Sequence, residues 1–112
     1  NPVVYDETKL DPNMDFYIIK SPSKGTIDIL MRRKGSNSKE LPPYGVDAVG
    51  LVQGRMIEMV VASDIAEKAT GVTVEDIKGS CPQNMILLAI FGDTAAVEDA
   101  MKEIQTKMDK KG

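Results

Sequence analysis

The sequence predicts an α+β sandwich, with helices laid on one face of a mostly antiparallel sheet. Three observations lead there. Short β-prone runs recur at residues 16–19, 26–31, 48–52, 72–77 and 85–91. Two segments, one after Gly54 and one after Gly92, switch to helical spacing of their apolar residues. The chain has 112 residues, 42% of them apolar and 28% charged, which is enough for one core and too little for two.

Residues 1–15 carry Pro2, Asp6, Glu7, Asp11, Pro12 and Asn13 with little periodicity, and read as an extended arm ahead of a single domain at 16–112. Phe16-Tyr17-Ile18-Ile19 reads as a strand and Ser21-Pro22-Ser23-Lys24-Gly25 as a turn. Thr26-Ile27-Asp28-Ile29-Leu30-Met31 reads as a second strand, so the domain is expected to open on a hairpin. Residues 34–47, with Gly35, Pro42, Pro43 and Gly45, read as a long loop. Ala48-Val49-Gly50-Leu51-Val52 is a third strand, apolar enough to be buried on both faces.

Beyond Gly54, Ile57, Val60, Val61, Ile65 and Ala69 recur at helical spacing, with Glu58, Ser63, Asp64, Glu67 and Lys68 mostly opposite. Gly71 suits a left-handed helix cap. Residues 72–77 form a fourth strand and Met85-Ile86-Leu87-Leu88-Ala89-Ile90-Phe91 an uninterrupted apolar fifth. Asp93 or Thr94 can cap the last helix, whose stripe is Val97, Ala100, Met101, Ile104 and Met108. From residue 47 the order is β-α-β-β-α. Its β-α-β part predicts a parallel pair with a right-handed crossover, and the whole is a ferredoxin-like arrangement.

Composition narrows the function. A net charge of −3 disfavours nucleic acid as a partner. No apolar run approaches the length of a membrane span, and the N-terminus lacks a charged-then-apolar secretory pattern, so a cytoplasmic setting is expected. The chain has one Cys and no His. That removes the commonest general base and any Cys–His dyad within the chain, so an enzyme is not expected.

The single thiol, Cys81, lies in Gly79-Ser80-Cys81-Pro82-Gln83, between two apolar runs. Gly79 relaxes the backbone, while Pro82 fixes its own φ and biases Cys81 towards an extended conformation. A lone Cys is most often a small buried hydrophobe, and that reading stands beside any functional one.

Several stretches in their order resemble the bacterial microcompartment shell domain. They are the strand Ala48 to Val52, the helix ending Ser63-Asp64-Ile65-Ala66-Glu67-Lys68-Ala69, and the strand Val72 to Ile77 with its Gly-Ser loop. Phe91-Gly92-Asp93-Thr94-Ala95-Ala96-Val97 completes the set. The resemblance covers roughly residues 46 to 106. The chain stops after its second predicted helix and carries strand material upstream at 16–33. This is similar to the circularly permuted branch of the family, in which a final strand has moved to the front.

Within that branch, Gly79 to Gln83 resembles the Gly-x-Cys-Pro-Gln pattern of shell proteins from compartments that house glycyl-radical enzymes. The resemblance implies a homo-hexamer that tiles a shell with other shell proteins, without nucleic-acid or membrane partners. It implies a central pore lined by Gly79, Ser80, Cys81, Pro82 and Gln83, with Cys81 as metal ligand. The expected cofactor is an iron–sulfur cluster, [4Fe-4S] in type, shared between subunits for electron transfer or redox gating. Lys68 takes the place of the lysine at edges between hexamers, and Arg32 or Arg33 that of a second edge residue. As solvated helix and strand-end cations these three have an equally ordinary reading. The alternative function is a small ferredoxin-like regulatory domain that binds a metabolite, with Cys81 structural.

Overall fold

The computed structural model describes residues 14–33, 46–78 and 85–108. Its elements are β1 (Asp15–Lys20), α1 (Lys24–Arg32), β2 (Ala48–Arg55), α2 (Met56–Glu67), β3 (Val72–Ile77), β4 (Met85–Gly92) and α3 (Thr94–Lys107). The four strands form one sheet in the order β1-β2-β4-β3. Every neighbouring pair is antiparallel. The α+β class is therefore as the sequence predicts, and three details differ from it.

The opening hairpin is instead a strand followed by a helix. Residues 26–31 lie inside α1, whose first turn is closed by Ser23: the Thr26 N–H donates to Ser23 Oγ at 3.1 Å. The alternation Ile27, Ile29, Met31 mimics a strand, but Ile27, Leu30 and Met31 also share one helical face. Leu30 is buried with Ile27 and Met31 packed beside it, while Ile29 is exposed. The helix thus uses the second of two patterns that the same six residues contain.

The expected parallel pair is absent because β4 stands between β2 and β3. β2 and β3 point the same way without touching, as in a split β-α-β unit. The apolar run of β4 explains the insertion. Leu88, Ala89, Ile90 and Phe91 are all buried, which only an interior strand covered on both faces allows.

The core has two halves, one on each face of the sheet. On one face α2 and α3 pack Met59, Ala62, Ala66, Val97, Ala100 and Met101 against Val52, Val74, Leu88 and Ile90. On the other, α1 packs Leu30 over Val49, Ile77, Ala89 and Phe91. The third detail concerns α2. Its buried face is Met59, Ala62 and Ala66, with Glu58, whereas Ile57, Val60 and Val61 face outward. Two alanines let the helix lie close to the sheet, and the bulkier aliphatic residues are left on the far side. α3 behaves as its sequence predicts, with Val97, Ala100, Met101 and Ile104 buried and Asp93 Oδ1 accepting the Ala96 N–H at 2.8 Å.

The two ends of the sheet differ. At one end the Ser21 N–H donates to the Asp47 carbonyl and the Asp47 N–H to the Gly92 carbonyl. Gly71, with φ of 81°, turns the chain from α2 into β3 there, and a Cβ on Gly92 would lie 2.7 Å from the Gly71 oxygen. The helix itself has already ended at Glu67. At the opposite end lie Arg55, Ile77 and Met85, and with them the connection from β3 to β4.

Candidate functional site

The predicted loop residues Gly79, Ser80, Cys81, Pro82 and Gln83 lie outside the described residues. What is described is the frame from which the loop springs. β3 ends at Ile77, paired with Leu87, and β4 begins at Met85, paired with Arg55. The chain between Ile77 and Met85 therefore joins an edge strand to the interior strand paired with it.

Hydrogen bonds and charges define that frame. The Lys78 N–H donates to the Arg33 carbonyl at 2.5 Å, which ties the C-terminal end of α1 to the last residue before the loop. The Lys78 ammonium pairs with Asp76 at 3.1 Å. On the other side Arg55 pairs with Glu58 at 3.1 Å, and Glu58 is largely withdrawn from solvent. A buried carboxylate needs such a cation, because an unpaired one would bear the full desolvation cost. Arg55 and Glu58 line a cavity of about 330 Å³ together with Met14, Ile57, Val61, Lys107 and Met108.

On the α1 face of the sheet, a cavity of about 310 Å³ is lined by Asp15, Tyr17, Leu51, Gln53 and Leu87. α1 starts beside the end of β1 and finishes beside the end of β3, so it crosses the sheet diagonally and leaves this corner bare. The corner adjoins the loop-bearing end.

Among the described residues no three His, Cys, Asp or Glu side chains stand close enough to hold a metal ion. A metal at the predicted place would have to draw on Cys81, and on more than one copy of it, since each chain has one thiol and no imidazole. Lys68, Arg32 and Arg33 lie among the described residues. Lys68 follows the last turn of α2, with its side chain 73% exposed and paired to Asp64 at 2.9 Å. Arg32 closes α1 and Arg33 caps it, and both are exposed. Sequence reasoning missed α1, the outward aliphatic face of α2, and Glu75, which is buried on β3. Ala62 and Ala66 were the available signal for α2, because small residues mark the side on which a helix approaches its neighbour closely.

The BMC domain model matches residues 48–112, more than half of the chain. Among solved structures, the ligand-free GrpU microcompartment shell protein from Clostridiales bacterium 1_7_47FAA is 60% identical, with a TM-score of 0.65, over 83% of this chain and 89% of that one. The ligand-free GrpU microcompartment shell protein from Pectobacterium wasabiae is 34% identical, also with a TM-score of 0.65, over 81% of this chain and 99% of that one. No curated protein matches the chain. The metabolite-binding regulatory domain gives way to these findings. The chain belongs to the family of bacterial microcompartment shell domains, whose members assemble with other shell proteins, typically as hexamers, and it is a structural, non-enzymatic component of a microcompartment shell.

Proposed function

We propose that this shell subunit forms a hexamer whose β3–β4 loops meet on the symmetry axis, and that Cys81 ligates an iron–sulfur cluster there for electron transfer or redox gating. One observation carries the reading: the only thiol of a His-free chain falls between β3 and β4 in a domain of a family whose members typically assemble as hexamers. One subunit cannot supply the ligands of a cluster, whereas a closed ring repeats each residue once per copy. Converging thiolates repel one another unless a bound cation offsets their charge. The donor set suits a cluster, and Gly79 and Pro82 suit a stiff loop that brings sulfur close to it.

Symmetry shapes the expectation further. A cubane cluster has three-fold axes and no six-fold axis, so equivalent cysteines around a hexamer cannot all bind it alike. Ligation is by a subset of the ring.

The circular permutation is part of the same proposal. It is supported by β1, which precedes the matched segment and yet pairs along the length of β2 from Lys20–Ala48 to Asp15–Gln53. Lys68 is proposed to lie at the edge between hexamers, supported by its exposure at the end of α2. The Gly-x-Cys-Pro-Gln pattern supports glycyl-radical enzymes as the enclosed partners.

Anaerobically purified protein should be hexameric, contain iron and inorganic sulfide, and show iron–sulfur absorbance. Cys81→Ser should lose the absorbance and the iron while remaining hexameric. Iron and absorbance that persist in Cys81→Ser would sink the cluster assignment. A wild-type chain that forms no ring would sink the shell geometry as a whole.

A further inference from the structure

We infer that Arg32 and Arg33, at the end of α1, form a docking surface for a small acidic redox protein that presents carboxylates around its own redox group. The inference rests on the reading of Cys81 as ligand of an electron-transferring cluster, and it names the partner class of that site.

The charge is local and uncompensated. The chain carries a net charge of −3, so composition alone does not supply a basic surface. α1 supplies one at its C-terminal end. Its sole acidic residue, Asp28, pairs with Lys24 at 3.4 Å in the first turns. Arg32 and Arg33 are both exposed, and neither has an ion-pair partner among the described residues. The C-terminal end of a helix dipole offsets only about half an elementary charge, so two guanidinium groups leave an excess.

Placement ties this excess to the connection from β3 to β4. The Lys78 N–H donates to the Arg33 carbonyl, which fixes the end of α1 against the residue that follows β3. Lys78 itself pairs with Asp76 and adds no net charge. Three residues of chain lead from Lys78 to Cys81, a span of at most about 11 Å. Lys68 lies at the opposite end, because α2 starts beside Arg55 and runs away from it to Glu67. In a ring with its β3–β4 connections on the axis, Lys68 stands towards the rim and the two arginines towards the centre. Arg32 and Arg33 therefore do not share the hexamer edge with Lys68. A closed ring repeats them once per subunit and surrounds its centre with guanidinium groups.

Such a collar suits a protein surface more than a small anion. Neither arginine lines the two cavities described above, so nothing encloses a small ligand beside them. Guanidinium groups are weakly hydrated and match carboxylates in a fixed fork. Exposed interface charges act mainly on the rate of encounter, which suits a carrier that must leave again after each transfer. Complexes of redox carriers are accordingly among the smallest specific interfaces.

The test measures binding of a labelled flavodoxin, an acidic flavin protein, to the full-length chain by fluorescence anisotropy. The wild type should bind it, with affinity falling about tenfold or more as ionic strength rises from about 0.01 to about 0.3 M. Arg32→Gln combined with Arg33→Gln should weaken binding about tenfold at the lower ionic strength, with circular dichroism and oligomeric mass unchanged. Lys24→Gln combined with Lys68→Gln removes two exposed cations from the other end of the sheet and should bind as the wild type does. No binding by the wild type, undiminished binding by the arginine variant, or an equal loss in the lysine variant overturns the docking surface. An oligoglutamate peptide that binds as tightly as flavodoxin overturns the redox class of the partner. A wild type that holds no iron yet binds flavodoxin through the arginines sinks the cluster assignment and upholds the docking surface, so the two failures are distinct.

Discussion

α2 and α3 lie side by side on the same face of the sheet, yet their sequences relate to burial in opposite ways. α3 separates its residues with one exception, the buried Gln105: Val97, Ala100, Met101 and Ile104 are inside, and Lys102, Glu103 and Lys107 are outside. α2 is apolar on both sides, and its larger aliphatic residues are the outer ones. The difference teaches what hydrophobic patterning measures. It reports which side chains avoid water in the working state of the protein. For α3 that state is the folded chain; for α2 the folded chain alone leaves Ile57, Val60 and Val61 in water.

Substitutions can press on this contrast. Ile104→Ala on α3 empties a fully buried site between the helix and the sheet, and should cost about 2–5 kcal/mol by urea unfolding. Gln105, the next residue, is buried with no hydrogen-bond partner for its amide nitrogen or oxygen among the described residues. Gln105→Met should therefore stabilise the chain by about 1 kcal/mol, since a desolvated amide is exchanged for an apolar chain of similar shape. A loss of stability in that variant would show that the amide has a partner. Smallest is the effect of Ile57→Ser on the outer face of α2. Measured at protein concentrations below assembly, it should lie within about 0.5 kcal/mol of wild type. A large loss there would make the outer face of α2 part of the subunit core, and the contrast with α3 would vanish.

Much of the fold is legible in the sequence because its signals are local. Asp93 before an amphipathic segment announces α3, and the unbroken apolar run 85–91 announces a strand shielded on both sides. What is not legible depends on competition between patterns or on distant pairing. Residues 26–31 satisfy both the strand and the helix period, and the hydroxyl of Ser23, together with the seat for Leu30 over Val49 and Phe91, favours the helix. The insertion of β4 between β2 and β3 follows from which strand has two apolar faces, a comparison across the sheet that no single window contains. The candidate site divides the same way. Cys81 attracts notice by being the sole thiol, whereas the outward aliphatic face of α2 emerges only once Ala62 and Ala66 are seen to take the side against the sheet.

The unequal ends of the sheet have a further consequence. The bonds from Ser21 to Asp47 and from Asp47 to Gly92, with the close approach of Gly71 and Gly92, fasten all four strands at the end away from the loop. These ties thus lie at the end of the sheet opposite the connection from β3 to β4. Substitutions between β3 and β4 therefore leave the contacts that tie the other end of the sheet untouched.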